Sequence, residues 1–229
     1  MGVLTKSMLA MRGAGLKNRA MQTHTGPRFV WFDTEYTSLE LEQAQLVQVA
    51  MVVTDFEGRR IAPAAQDFVT PVRLPVEAPV SEFLAKECPA LVAAARQPET
   101  PTVDAVDALL AARLDDLLGP PSAKVKDRPI LAGNTIHADW WFAEKFLPRF
   151  LARLHYRNLD VSTLKILWLG AQAGPEFDKA DLALMRANLP GWELPEGAQR
   201  HDALYDVMCS IAELNYYRKN FLRATCGTE

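Results

Sequence analysis

Phe29-Val-Trp-Phe-Asp-Thr-Glu-Tyr36 is the stretch from which the fold and the chemistry can both be read. Rich in valine and aromatics and bounded by Gly26-Pro27, it reads as a buried β-strand whose side chains alternate with a period of two. Asp33 and Glu35 therefore point the same way. Two carboxylates side by side at the end of an apolar strand repel each other and lose hydration, which is unfavourable unless a cation neutralises them. Mg²⁺ or Mn²⁺, hard ions that prefer carboxylate oxygen and water, are the simplest remedy. An isolated D-x-E is more often the solvated end of a strand, so the pair gains weight from what else reaches it.

The chain has 229 residues, 49% of them apolar, enough to bury the core of one α/β domain. A formal charge of −3 argues against a protein coated in basic surface but leaves room for a local groove that handles nucleic acid. Cys88, Cys209 and Cys226 have neither C-x-x-C spacing nor a secreted-framework pattern, which points to reduced thiols in an intracellular compartment. No run approaches the roughly 18 apolar residues of a membrane-spanning helix. Residues 1–28 carry Lys6, Arg12, Lys17, Arg19 and Arg28 and no acid, the pattern of an organelle transit peptide or of an unstructured extension. A cytoplasmic location is expected, or a mitochondrial one if this segment is a transit peptide. The division follows as an extension at 1–28, a single domain at 29–222 and a tail at 223–229.

Outward from the first strand, Leu46 to Thr54 is a second β-branched run, closed by the turn-prone Asp55-Phe-Glu-Gly58. A third strand candidate from Arg59 to about Val72 is interrupted by Pro63 and Pro71 and belongs near a sheet edge. Helices are expected at about Ser81 to Arg96, Val103 to Leu118, Ile136 to Leu154, Lys179 to Ala187 and His201 to Leu222. In the last of these Ala203, Val207, Ile211 and Leu214 form one stripe. Short strands are expected at Pro129 to Asn134 and Asn158 to Ser162, with Ser162 or Thr163 opening a further helix. Strands first, then strands alternating with helices, indicate a mixed sheet flanked by helices.

Two further places offer acids in the right setting. Asp139 falls in the first turns of a helix just after the strand that ends in Gly133, and such junctions line the ligand crevice of open α/β sheets. In His201-Asp-Ala-Leu-Tyr-Asp206 a histidine stands at the mouth of the last helix, and either Asp202 or Asp206 is placed to be a ligand.

D-x-E, a distant Asp and H-x-A-x-x-D in this order resemble the DEDDh family of 3′-to-5′ exonucleases. His155-Tyr-Arg-Asn-Leu-Asp-Val-Ser-Thr-Leu-Lys165, Ser210-Ile-Ala-Glu-Leu-Asn-Tyr-Tyr-Arg218, Gly133-Asn-Thr-Ile136 with Asp139, and Leu147-Pro148 resemble its oligoribonuclease subfamily. The similarity runs from about Phe29 to Phe221. It implies a ribonuclease-H-like fold, a five-stranded mixed sheet with helices around it. It also implies two Mg²⁺ or Mn²⁺ ions about 3.5–4 Å apart on Asp33, Glu35, Asp139 and Asp206, with Asp33 bridging. His201 would take the proton of a metal-bound water, and a nucleoside 5′-monophosphate would leave from the 3′ end of short single-stranded RNA. Leu39 matches the leucine that wedges between the terminal bases. Thr135, Tyr156 and Arg157 match positions around the 5′-phosphate, with Lys86 in the place of a capping histidine. Tyr156 belongs with the catalytic set and implies a homodimer, because the matching tyrosine of the family reaches the partner subunit's active site.

The sequence also departs from the subfamily. Ser38 stands for a glycine, Gln48 for a glutamate of the second strand, and Tyr205 before the last acid resembles ribonuclease T as much as oligoribonuclease. Residues Gly170 to Arg200 form a longer stretch than usual. Three rival readings stand at this level: a DEDDh exonuclease that trims longer RNA or single-stranded DNA, with Trp140, Trp141 and Trp192 as a stacking platform; a non-catalytic RNA-binding protein, against which the four acids and His201 speak; and a metal-independent structural dimer, which would leave the clustered carboxylates unexplained.

Overall fold

The structure is a computed structural model and describes residues 26–194 and 202–222. Five strands form one sheet in the order β3-β2-β1-β4-β5. β1 (Phe29–Tyr36) and β2 (Leu46–Thr54) are antiparallel and in register from Phe29 opposite Thr54 to Glu35 opposite Gln48. β3 (Phe68–Pro71) continues the antiparallel half at one edge, where Pro71 leaves no inner ladder bond unmade. On the other side β4 (Ile130–Gly133) runs parallel to β1, and β5 (Asn158–Asp160) parallel to β4. The expected mixed, five-stranded α/β sheet is therefore present.

Both faces of the sheet are covered, which is why β1 and β2 read as nearly continuous apolar runs. Phe29, Trp31, Ala50 and Val52 face α6 (Val161–Gly170), α7 (Leu182–Asn188) and α8 (Ala203–Tyr217). Val30, Phe32, Val49 and Met51 face α3 (Val103–Leu118), α4 (His137–Phe146) and α5 (Pro148–Leu151). Trp31 and Phe32 are each almost wholly buried, and each such side chain contributes about 1.5–3 kcal/mol of transfer free energy. α8 is buried on nearly every side, Met208, Cys209, Ala212 and Glu213 included, so the expected single stripe describes only part of it. It is a central helix.

Two expected helices are each split by a proline, which has no N–H to give and crowds the preceding turn. The first becomes α1 (Glu82–Glu87) and α2 (Pro89–Ala95), and the second becomes α4 and α5, with the break at Pro148. The helix after β5 starts earlier than expected, because the Asp160 side chain, not Ser162 or Thr163, caps it by accepting the Ser162 N–H. α7 begins at Leu182, where Asp181 accepts two backbone N–H groups. No helix among the described residues is long and apolar enough to cross a membrane.

Candidate active site

β4 ends at Gly133, roughly level with Phe32, while β1 runs on to Tyr36. The second half of β1 therefore overhangs a notch in the sheet, and the acids singled out in the sequence gather there. Strand parity sends Asp33 and Glu35 to the face that carries α8, and Asp206, in the first turn of α8, meets them. One carboxylate oxygen from each of Asp33, Glu35 and Asp206 lies within 4.8 Å of the others. Thr34 points to the opposite face and donates its hydroxyl to Asp139 Oδ1 at 2.7 Å. Asp139 is itself buried, in the first turn of α4.

The close approach depends on glycine at 133. A Cβ there would sit 2.8 Å from Ile136 Cδ1 and 2.9 Å from the Phe32 carbonyl oxygen, and the second of these is backbone. With hydrogen at that position, the corner leading into α4 lies directly against β1.

The choice left open between Asp202 and Asp206 resolves on geometry. Asp202 is the N-cap of α8, with Oδ1 accepting the N–H groups of Leu204 at 3.0 Å and Tyr205 at 3.3 Å. Asp206 is the acid in the cluster. His201 lies outside the described residues. Gln48, in place of a glutamate, accepts the Ala203 N–H with Oε1 at 3.1 Å, which fixes the start of α8 to β2. Tyr205 is buried and donates to the Lys179 carbonyl at 3.0 Å.

Electrostatically the cluster is under strain without a cation. Burial first, then the charges of Asp139, Asp206 and Glu35, push the Asp33 carboxyl well above its ordinary value, and Lys179 pulls the other way. Glu35 is raised to about 8, by burial and then by Asp206, Asp139 and Asp202. Asp139 is raised to about 7 by burial, against the hydrogen bonds from Thr34. Hard oxygen donors crowded in a partly dehydrated notch match a divalent cation in chemistry and in charge. Thr34 and Lys179 were missed in the sequence. Parity along β1 could have found Thr34, whereas Lys179, expected to open a helix, stands just before α7, and nothing local shows that it reaches the acids.

The remaining predicted residues fall into two groups. Near the notch, Leu39 is 85% exposed on the loop after β1, whose turn is held by Glu40 N–H donating to Ser38 Oγ at 3.1 Å. α1 is tied to the same loop by Ser81 N–H donating to the Thr37 carbonyl, and its Lys86 ammonium lies 3.4 Å from Glu87 Oε1. Thr135 is exposed at the corner, with a φ of 53° that β-branched residues seldom adopt. Tyr156 and Arg157 lie elsewhere. By the strand register Tyr156 is level with Arg28, about 16 Å back along the sheet from Asp33. It is 62% exposed, next to the edge strand β5. Trp140 and Trp192 pack against the two cores, the latter under the Arg60 guanidinium at 3.5 Å, while Trp141 is half exposed. A cavity of about 1130 Å³ opens among Arg28, Arg128 and Arg153 at the far end of the sheet, remote from the carboxylates.

Comparison with known proteins agrees with this geometry. The profile of the exonuclease family matches residues 30–214, and the chain belongs to that family, whose members are metal-dependent nucleases with a ribonuclease-H-like sheet. Among solved structures, cell-death related nuclease 4 superposes with a TM-score of 0.57 at 12% identity, covering 85% of this chain and 64% of that one. Pop2p of S. pombe, in its Mg²⁺- and Mn²⁺-bound form, gives 0.56 at 12% identity over 85% and 84%. At these identities the likeness is one of fold, and this chain spans less than two thirds of the first of them. Within the family the chain belongs to the oligoribonucleases. It is 32% identical over 200 residues to the oligoribonuclease of Leifsonia xyli, covering 84% of this chain and 83% of the relative. It is 28% identical to the mitochondrial oligoribonuclease of Bos taurus, over 86% and 74%.

Proposed function

We propose that this protein removes nucleoside 5′-monophosphates from the 3′ end of short single-stranded RNA, dinucleotides included. It would do so with two Mg²⁺ or Mn²⁺ ions held by Asp33, Glu35, Asp139 and Asp206. The observation that carries the proposal is the meeting of Asp33, Glu35 and Asp206 within 4.8 Å, beside a buried Asp139. The S. pombe relative in fold, solved with both Mg²⁺ and Mn²⁺, supports the choice of ions. When bound, such ions supply an ionised water at neutral pH and positive charge for the phosphoryl and leaving oxygens. Asp33, which feels the charges of the three other acids, would be the one shared between the ions. Thr34, which donates to Asp139 Oδ1, would orient that carboxylate toward the cluster. His201, directly before the cap Asp202, is the proposed proton acceptor, since histidine is the side chain whose intrinsic pKa, about 6.5, suits that task.

Substrate selection is assigned to Leu39, Lys86, Thr135, Arg157 and Tyr156. A leucine so exposed costs little to keep in the core-free loop and offers an apolar wedge to the terminal bases. Tyr156 is too far from Asp33 of its own chain to act there, so its contribution is to the partner's site in a homodimer. α6 supports this dimer. Directly following the edge strand β5, it leaves Ile166 69% and Leu167 53% exposed, apolar surface that a second copy of the chain could cover. We place the enzyme in the cytoplasm, or in the mitochondrion if residues 1–28 are an import signal, which fusion of that segment to a reporter would test.

Cleavage of 5′-labelled RNAs of two to about ten nucleotides, in Mg²⁺ and in Mn²⁺, tests the substrate. The rate is expected to be highest for the dinucleotide and to fall with length. Equal rates on longer RNA or on single-stranded DNA would make this a general end-trimming exonuclease instead.

A further inference from the structure

Three stretches of this chain that carry no catalytic carboxylate, Gly133-Asn-Thr-Ile136, Asn158-Leu-Asp-Val-Ser-Thr163 and Ser210-Ile-Ala-Glu-Leu214, meet in one hydrogen-bonded network. At its centre is Glu213, which is wholly buried. Its Oε2 accepts from Asn134 Nδ2 at 2.9 Å and its Oε1 from the Tyr217 hydroxyl at 3.0 Å. Lys179 Nζ stands 3.7 Å and Lys165 Nζ 3.9 Å away. A buried carboxylate is tolerated only when it is paired and hydrogen-bonded in this way, and breaking such a set leaves an uncompensated group.

The network reaches both sides of the notch. Asn134 Nδ2 also donates to Ser210 Oγ at 3.0 Å, and Ser210 in turn donates to the Asp206 carbonyl at 3.0 Å. On its other side Asn134 Oδ1 accepts from Ser162 at 3.3 Å. The Thr135 N–H is then held by Asp160 Oδ1 and Ser162 Oγ, both at 2.9 Å. These bonds offset the cost of the left-handed backbone at Thr135, the residue from which α4 and Asp139 follow. Lys179 ties the stretch before α7 to the same carboxylate.

We propose that Glu213 is a positioning residue: through Asn134 it locks α8, which carries Asp206, to the strand-to-helix corner that carries Asp139. The two acids come from segments that have no covalent reason to keep a fixed separation. A single amide bridging them sets that separation from beneath. The inference rests on the metal site proposed above, and its test is read without turnover.

The test measures Mn²⁺ binding by calorimetry and by electron paramagnetic resonance on the full chain, for wild type, Glu213→Gln, Asn134→Ala and the double variant, with thermal unfolding alongside. Outer-shell partners of metal ligands typically affect affinity by about 10–100-fold. Glu213→Gln and Asn134→Ala are each expected to weaken Mn²⁺ binding about tenfold, and the double variant to be no weaker than the poorer single. Binding within about twofold of wild type in a folded variant, or losses that multiply in the double variant, would overturn the proposal. If Glu213→Gln does not fold, Asn134→Ala, which removes no charge, decides alone. A wild-type protein that binds Mn²⁺ but cleaves no RNA would count against the proposed function and leave the positioning role to be judged on affinity.

Discussion

Raising the pH of the metal-free protein is expected to destabilise it, which is the reverse of ordinary acid denaturation. In the unfolded chain Glu35 loses its proton near 4.5, whereas burial and the neighbouring acids hold the proton to about 8 in the folded state. Between those values the folded state binds more protons than the unfolded one, so stability falls as pH rises from about 4.5 to about 8 and levels off above. The shift of about 3.5 units corresponds to about 5 kcal/mol, and partial solvent access to Glu35 brings this nearer to about 2.5 kcal/mol. For a chain of this size that is about 5–10 °C in melting temperature. Asp139, raised to about 7, acts in the same direction. The assay is thermal unfolding in EDTA from pH 5 to 9, compared with Glu35→Gln, in which the slope should flatten. Mn²⁺ added at pH 8.5 should restore the lost stability by pairing with the ionised acids. A wild-type melting temperature that is level or rising across this window in EDTA, or that Mn²⁺ leaves unchanged, would refute the electrostatic account of the cluster.

Gly133→Ala brings a Cβ to 2.9 Å from the Phe32 carbonyl oxygen, so the corner must shift and kcat should fall at least about tenfold with the fold retained; an unchanged kcat would contradict the close-approach argument. Leu39→Ala removes an exposed side chain, so thermal stability should hold while KM for a dinucleotide rises about fivefold or more, as loss of a stacking contact implies. Ile166→Glu places a charge on the bare face of α6 and should give a monomer by light scattering. Co-expressing Asp33→Asn with Tyr156→Ala should restore activity that neither variant has alone, since each mixed dimer has one complete site; no rescue would place Tyr156 in its own subunit's chemistry or in none.

Much of the sheet was legible because β1 and β2 are long, β-branched and closed by clear turns, and because Pro63 and Pro71 mark an edge. The pairing of Asp33 with Glu35 followed from strand parity alone. What parity could not supply was the third dimension. Helical spacing does not distinguish Asp206 from Asp202; the family resemblance pointed to Asp206, and the physical reason appears when Asp202 is seen capping α8 while Asp206 meets the acids of β1. Helix ends were misjudged where proline followed a residue that fitted the apolar pattern, at Cys88-Pro89 and Leu147-Pro148, since periodicity carries across a break that the missing N–H imposes. Glu213 was visible as part of a motif, yet its burial was not, because a carboxylate at a helical position reads as a solvated face. The stretch from Gly170 onward resisted reading for the opposite reason. Apart from the short helix expected there and found as α7, its order comes from scattered tertiary bonds, such as Trp168 and Tyr216 both donating to the Pro175 carbonyl.

The central claim is that the carboxylates of the notch perform the chemistry, and Asp33→Asn tests it most directly. The substitution is nearly isosteric and relieves repulsion, so the variant should melt at or above the wild-type temperature in EDTA. Turnover of a 5′-labelled dinucleotide at saturating Mg²⁺ or Mn²⁺ should be abolished, to background. A folded Asp33→Asn protein that cleaves the dinucleotide at a rate near that of wild type would contradict the account.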